Sequence, residues 1–279
     1  QFAALRGVTE QTTTGVARLR ALDDAGRLPF GAMAANDARC KHLFDNRYGT
    51  GQSTVQAIGD LTNMLLAGKQ VAVFGYGWVG RGLGTYLRAM GARVTIVEVD
   101  PVKALEAHMD GHAVGAAAEA LPSADLVITA TGGIRAVSQA HFPLLKDGAV
   151  LANAGHHDQE IDVERLDRAS TDRRVVRRGI ECYRWNGTKD VLVLANGALV
   201  NIAGGLGHPI EIMDLSFAVQ GLGCHELAVG RYQPGVHVLP RHVDDAIAAA
   251  KLAAQGITLD EVADDQRDDG TAWLTDEPN

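Results

Sequence analysis

A short apolar run, Val71-Ala72-Val73-Phe74, leads directly into Gly75-Tyr76-Gly77-Trp78-Val79-Gly80 and then into a helical pattern over residues 79–90. No other feature constrains the fold as strongly. Three glycines at this spacing are common by themselves, but between a buried strand and a helix they have a defined use. Gly75 permits the tight turn and Gly77 lets the backbone approach a pyrophosphate. Gly80 allows close helix–strand packing, and the helix opening at Trp78 and Val79 offers its N–H groups to phosphate oxygens. Arg93-Val94-Thr95-Ile96-Val97 reads as the next strand, and Glu98 follows it, 23 residues beyond Gly75. A carboxylate there accepts hydrogen bonds from ribose hydroxyls and repels a 2′-phosphate, so the loop is expected to hold NAD rather than NADP. Arg93 opens that strand and is poorly placed for a 2′-phosphate.

The alternation continues through a helix at 101–108 and strands at 126–129 and 149–152, with a helical stretch expected between those two strands. Such β-α-β order calls for an α/β fold with a doubly wound, parallel, Rossmann-type sheet and right-handed crossovers. Upstream, a helix is expected from Val16 and stopped by Gly26. The polar segment 29–51 reads as loop and connection, and Ser53 as the cap of a second helix with Val55, Ile58, Leu61 and Leu65 on one face. Trp185-Asn186-Gly187 marks a hairpin within 173–196, with 191–194 returning to the main sheet. Helices are expected at 210–221 and 243–254, the latter with an apolar face suited to a partner subunit. No internal repeats are visible.

Bulk properties restrict the remaining choices. The 279 residues are 46% hydrophobic and 22% charged, which suits a globular chain with a real core. The net charge of −8 and scattered Lys and Arg argue against a nucleic-acid or phospholipid partner. No apolar run approaches a membrane span and no signal peptide is visible. Cys40, Cys182 and Cys224 lie far apart without CxxC spacing, which suits a reducing, cytoplasmic location. Cys40 reads as a lone buried thiol. The acidic residues Asp264, Asp265, Asp268, Asp269, Asp276 and Glu277 read as a solvated tail. The chain opens on Gln1 rather than Met, so a fragment, a processed form or only the ordered part of something longer is expected.

The other polar clusters narrow the chemistry. Glu10-Gln11-Thr12-Thr13-Thr14-Gly15, Asn36-Asp37, Lys41 with Phe44-Asp45-Asn46, Asn153-Ala154-Gly155-His156, and Asn201 with Gly207-His208-Pro209 all look like site segments. Together with Gly75–Gly82, Glu98-Val99-Asp100-Pro101, Met109-Asp110-Gly111, Thr129-Ala130-Thr131-Gly132 and Met213-Asp214-Leu215-Ser216-Phe217, they closely resemble the S-adenosylhomocysteine hydrolase family. The resemblance runs from about Gly7 to about Gln266. It implies a redox-neutral reaction on an adenine nucleoside. C3′ is oxidised with NAD as hydride acceptor, the C4′ hydrogen is lost, the C5′ substituent leaves, water adds, and the hydride returns.

The resemblance also assigns residues. Lys41 and Asp45 match the pair at the 3′-hydroxyl. A lysine is a base near neutral pH only if burial or nearby positive charge lowers its pKa, and without the motif the two would read as an i,i+4 surface ion pair. Asn46 matches the residue beside the nicotinamide, His156 a histidine near C5′, His208 one beside the nucleoside and Asn201 a residue facing nicotinamide. Thr12 matches a nucleoside contact and Thr13 and Thr14 cofactor contacts. Thr131, Gly132, Gly155, His156 and His208 join the cofactor set. His156-His157 projects two imidazoles differently and has no third ligand, so no metal is expected.

Some positions depart from the pattern. Gln11, a candidate substrate residue, stands where the family has a glutamate, His157 where it has an aromatic and Asn196 where it has another glutamate. Most of the family's N-terminal substrate domain has no counterpart here. The expected division is 1–51 as the end of that domain and a hinge, 52–207 as the NAD-binding domain, 208–235 as the return, and 236–279 as an oligomerisation segment. Three functions are compatible: hydrolysis of S-adenosylhomocysteine by a homotetramer or homodimer, an alkene-forming dehydratase acting on another adenine nucleoside, and a non-catalytic NAD-binding regulator.

Overall fold

In a computed structural model, which describes residues 5–261, the chain forms two sheets. The larger has the order β5-β4-β3-β6-β7-β10-β9-β8. Its centre is β3 (Gln70–Phe74), flanked in parallel by β4 (Arg93–Val97) and β6 (Leu126–Thr129). β5 (Ala113–Val114), β7 (Ala149–Asn153) and β10 (Lys189–Leu194) extend the parallel set. β9 (Ile180–Trp185) and β8 (Ser170–Arg177) then add antiparallel. The expected doubly wound fold is therefore present, with its strand order reversing at β3, where ligands bind in such sheets.

Successive side chains of a strand point to opposite faces, and both faces here are apolar. Val71, Val73, Leu126 and Ile128 meet Ile58, Leu83 and Leu87 on one side. Ala72, Phe74, Val127 and Leu151 meet Leu121, Phe142, Leu145 and Leu166 on the other. The first face is covered by α3 (Thr50–Thr62) and α4 (Trp78–Ala89). α5 (Pro101–Met109) follows β4, its N-terminus capped by Asp100, whose side chain accepts from the Val102 and Lys103 N–H groups. α6 (Ala117–Ala120), α7 (Val163–Arg168) and α8 (Val200–Ala203), which carries Asn201, are short.

The smaller sheet is parallel, with β2 (Gly31–Ala34) between β1 (Gly7–Glu10) and β11 (Gly235–His237). α1 (Thr13–Asp24) links β1 to β2. A third apolar cluster joins Met33 and Cys40 to Leu215 and Val219 of α9 (Ile210–Val229) and Val243 and Ile247 of α10 (Arg241–Ala254). No helix among the described residues is long and apolar enough to cross a membrane.

Several expectations need correction. Segment 29–51 is not loop. It holds β2, a 3-10 turn (Ala35–Asp37), α2 (Arg39–Lys41) and a π-helix (His42–Gly49) that runs into α3. Its Asn, Asp and Gly residues imitate turn chemistry, and the four β2 residues are all buried, so no alternation betrays the strand. Ser53 is not a cap; it lies inside α3 and donates to the Gly49 carbonyl. Between β6 and β7 there is no α-helix, only a 3-10 turn at Phe142–Leu144. α9 continues well past Gly221. α10 packs Val243 and Ile247 against the rest of the chain. The expected boundary at 51/52 falls inside a continuous helical run, and that at 235/236 inside β11. The hairpin is as expected, with Asn186 and Gly187 both at positive φ, and β10 does return to the main sheet. The acidic tail lies outside the described residues.

Candidate functional site

The glycine loop has the geometry its sequence implies. Gly75 has φ +96, and a Cβ there would lie 2.7 Å from the Ala130 carbonyl oxygen. A Cβ on Gly80 would lie 2.1 Å from the Gly75 carbonyl oxygen, so only hydrogen fits between helix and turn. At Gly77 a Cβ would meet nothing within 4 Å, which leaves that approach open to a ligand. Trp78 and Val79 are part-buried at the start of α4; the Trp78 ring lies 5.0 Å from that of His42 and 4.5 Å from the Arg81 guanidinium carbon. Glu98 accepts from the N–H groups of Tyr76 (2.7 Å), Val99 (2.7 Å) and Asp100 (3.1 Å). Burial opposes its charge, but these N–H groups hold the carboxyl below its ordinary pKa. An ionised Glu98 is what discrimination against a 2′-phosphate requires.

The second cluster centres on Lys41. It is 5% exposed, and Asp45 6%, so the pair is not the surface ion pair that spacing alone suggests. Lys41 Nζ lies 3.1 Å from Asp45 Oδ1 and donates to Asn46 Oδ1 at 2.7 Å and Asn36 Oδ1 at 3.3 Å. Thr13 Oγ1 donates to the same Asn36 oxygen at 3.3 Å. The wider π-turn brings residues four and five positions on, Asp45 and Asn46, under one ammonium; such turns recur at functional sites.

From α9, Ser216 Oγ donates to Asp45 Oδ2 at 2.7 Å, and His208 Nδ1 stands 3.5 Å from that oxygen. His208 Nε2 is 3.1 Å from Thr50 Oγ1. Burial lowers the Lys41 pKa against the opposing pull of Asp45 and Glu10. Burial works to raise that of Asp45, but His208, Lys41 and Ser216 outweigh it and bring it to about 2. Asp45 thus stays a carboxylate while Lys41 is eased toward the free amine.

Three further elements frame the site. Asn201, 1% exposed, donates to Ser53 Oγ at 3.0 Å, while its Oδ1 has no partner. Gln11 Oε1 and Thr14 Oγ1 are likewise buried and unpartnered. Buried polar atoms without partners are uncommon, and these sit on residues expected to meet nucleoside or cofactor. Together with the open approach at Gly77 and the ionised Glu98, they fit a dinucleotide. Thr12 contributes its N–H to Glu10 Oε1 (2.8 Å). His156 is exposed, with its ring 5.4 Å from that of His157. The structure therefore joins Lys41, Asp45, Asn46, Thr13 and His208 in one network, and leaves His156 outside it.

Sequence reasoning passed over several contributors. Asn36 and Ser216 lay inside quoted motifs without a role. Thr50 carried no signal. Asp244 lies far along the chain, yet its carboxylate accepts from the Arg39 N–H (2.7 Å) and the Cys40 N–H (3.0 Å) at the start of α2. Glu160 is wholly buried and accepts from Thr131 and Gly132.

Comparison with known proteins places this arrangement. The profile of the "S-adenosyl-L-homocysteine hydrolase, NAD binding domain" matches residues 46–207. An adenosylhomocysteinase of Gloeobacter violaceus is 49% identical over 269 residues, covering 96% of this chain and 63% of that protein. One from Thermococcus kodakarensis is 48% identical over 269 residues, covering 96% and 64%. An S-inosyl-L-homocysteine hydrolase of Methanothermobacter thermautotrophicus is 48% identical over 263 residues, covering 94% and 63%. The chain spans less than two thirds of the length of each of these three relatives.

Proposed function

This chain belongs to the S-adenosylhomocysteine hydrolase family and carries its NAD-binding domain, and on that premise we propose that the complete protein hydrolyses S-adenosylhomocysteine to adenosine and homocysteine. The buried Lys41–Asp45 pair carries the proposal, because a lysine made less basic by burial and held beside a fixed carboxylate is suited to exchanging a proton with a hydroxyl. NAD, when bound, supplies a reversible hydride acceptor for C3′.

Lys41 takes the proton of the 3′-hydroxyl. As an ammonium it has three N–H groups and three acceptors, Asp45, Asn36 and Asn46. As an amine it keeps two donors and turns its lone pair to the hydroxyl, and Asp45 offsets the charge when the proton arrives. Asn46 and Asn201 would hold the nicotinamide end of NAD, where the unpartnered Asn201 Oδ1 could accept a hydrogen bond. Gln11, Thr12 and His208 would hold the sugar, and Thr13 and Thr14 the cofactor. Gly75, Gly77, Gly80, Trp78 and Val79 would cradle the pyrophosphate and Glu98 would hold the adenosine ribose of NAD, with Thr131, Gly132 and Gly155 completing the cofactor set. His156 would move a proton at C5′.

One substitution favours a second reading. Gln11 has the shape of a glutamate without its charge. An alkene-forming dehydratase acting on another adenine nucleoside would fit such a changed ribose contact. Incubating the complete protein with S-adenosylhomocysteine, and separately with hydroxymethyl-bearing adenine nucleosides, separates the readings. Adenosine release supports hydrolysis, whereas an accumulating alkene supports the dehydratase. Lys41→Ala should bind NAD yet form no NADH on adding nucleoside; normal NADH formation removes Lys41 from the mechanism.

A further inference from the structure

Glu160 has no place in the chemistry above, yet it is 0% exposed in the loop between β7 and α7. A buried carboxylate is costly unless its oxygens are satisfied, and here they are. Oε2 accepts from the Thr131 N–H and the Thr131 hydroxyl, both at 2.9 Å. Oε1 accepts from the Gly132 N–H at 2.8 Å. All three donors belong to the turn that follows β6, so the carboxylate fills a small backbone nest there.

The same carboxylate presses on a second segment. A Cβ on Gly155 would lie 1.7 Å from Glu160 Oε1 and 2.3 Å from its carboxyl carbon. Gly155 immediately precedes His156. The backbone around Glu160 is zipped to the first segment as well. Arg135 N–H donates to the Gln159 carbonyl at 2.7 Å and Val137 N–H to that of Glu160 at 3.0 Å. Asn153 closes the far end, its Oδ1 accepting from Thr129 Oγ1 (3.0 Å) and the Gly155 N–H (2.8 Å).

We propose that Glu160 is a positioning residue that fixes the Thr131–Gly132 turn and the Gly155–His156 loop as one body, so that cofactor seating and the aim of His156 are set together. The first half stands on this geometry; the link to His156 chemistry rests on the proposed function.

The test uses the complete protein with Gly155→Ala, Glu160→Gln and the pair Gly155→Ala/Glu160→Asp. Gly155→Ala displaces the carboxylate from the other loop. The amides of Thr131 and Gly132 should then exchange hydrogen faster, and NAD affinity should fall about tenfold, the scale of one charge-assisted hydrogen bond. Glu160→Gln, nearly isosteric, should do the same even if Gly155→Ala folds poorly. The shorter Asp should recover part of the affinity in the pair. Wild-type amide exchange and NAD affinity in Glu160→Gln overturn the proposal, as does failure of Asp to restore anything in a folded pair. None of these measurements involves substrate, so a wrong assignment of the nucleoside would show elsewhere, as inactivity with normal NAD binding.

Discussion

In the glycine loop the functional geometry lies in the backbone, whereas in the segment carrying Lys41 it lies in side chains gathered from distant parts of the chain. The loop after β3 needs only what neighbours in sequence provide: a buried strand, glycines where a Cβ would strike carbonyl oxygens, and a helix start. The Lys41 cluster draws on Asn36 before it, Ser216 from α9, and Asp244 from α10. The two meet where a Cβ on Gly82 of α4 would lie 1.9 Å from the Arg47 carbonyl oxygen, so the π-helix rests directly on the dinucleotide helix. A backbone-built site should be brittle toward any added atom. A site built from side chains should lose its parts one at a time.

The sharpest break of that comparison compares two glycines of one loop. Gly80→Ala puts a methyl group against the Gly75 carbonyl and should cost about 3 kcal/mol or more, because backbone cannot step aside as a side chain can. Gly77→Ala meets no protein atom and should leave thermal unfolding nearly unchanged while NAD affinity collapses. Unfolding curves and NAD titration of both variants read this directly. Equal stability of the two would mean that the loop is not backbone-limited.

The same contrast explains what was legible in the sequence. The dinucleotide sheet could be read almost strand by strand, since 126–129 and 149–153 carry their burial as continuous runs and 93–97 alternates exposed or half-buried with buried residues. Glu98 was legible because its role depends on position after a strand. Segment 29–51 resembles loop in sequence, because a π-helix has no periodicity that helical templates detect and β2 shows no alternation. Lys41 and Asp45 are found through the family resemblance, but their burial is not, since groups packed on Asp45, Ser216 and His208, lie far along the chain. Glu160 escaped because an acidic residue in a loop looks solvated until its donors are seen.

Asp45 offers the next test. Its carboxyl is brought to about 2 from an ordinary 3.8, with burial opposing and His208, Lys41 and Ser216 prevailing. A depressed carboxylate contributes stability that is full above its unfolded pKa and lost as pH falls through the folded one. The contribution should therefore be on the order of 2 kcal/mol at neutral pH and fade between about pH 4 and pH 2. Urea unfolding of wild type and Asp45→Asn should differ by that order at pH 7 and converge as the pH drops through this window. A gap that stays constant with pH would mean that the charge of Asp45 contributes nothing, and that shape alone matters there.

The smallest expected effect concerns Asp244, the most remote support of the Lys41 segment. Asp244→Ala removes the acceptor of two N–H groups at the start of α2 and should cost about 1–2 kcal/mol, the range of a lost helix cap. Asp244→Ser, which keeps a capping oxygen, should recover part of this. Cys40 reports on the same spot. Its thiol is pushed up to about 12, first by burial and then by Asp244, and it donates to the Asp244 carbonyl at 3.3 Å. In the wild type, alkylation at pH 8 should therefore strike the exposed Cys224 and spare Cys40. If Asp244 holds the turn in place, Asp244→Ala should speed Cys40 labelling through local opening while Cys224 labelling stays constant. Unchanged Cys40 labelling together with unchanged stability would show that α2 is held by its apolar contacts with α9 and α10, and that this corner of the side-chain site is as self-sufficient as the glycine loop.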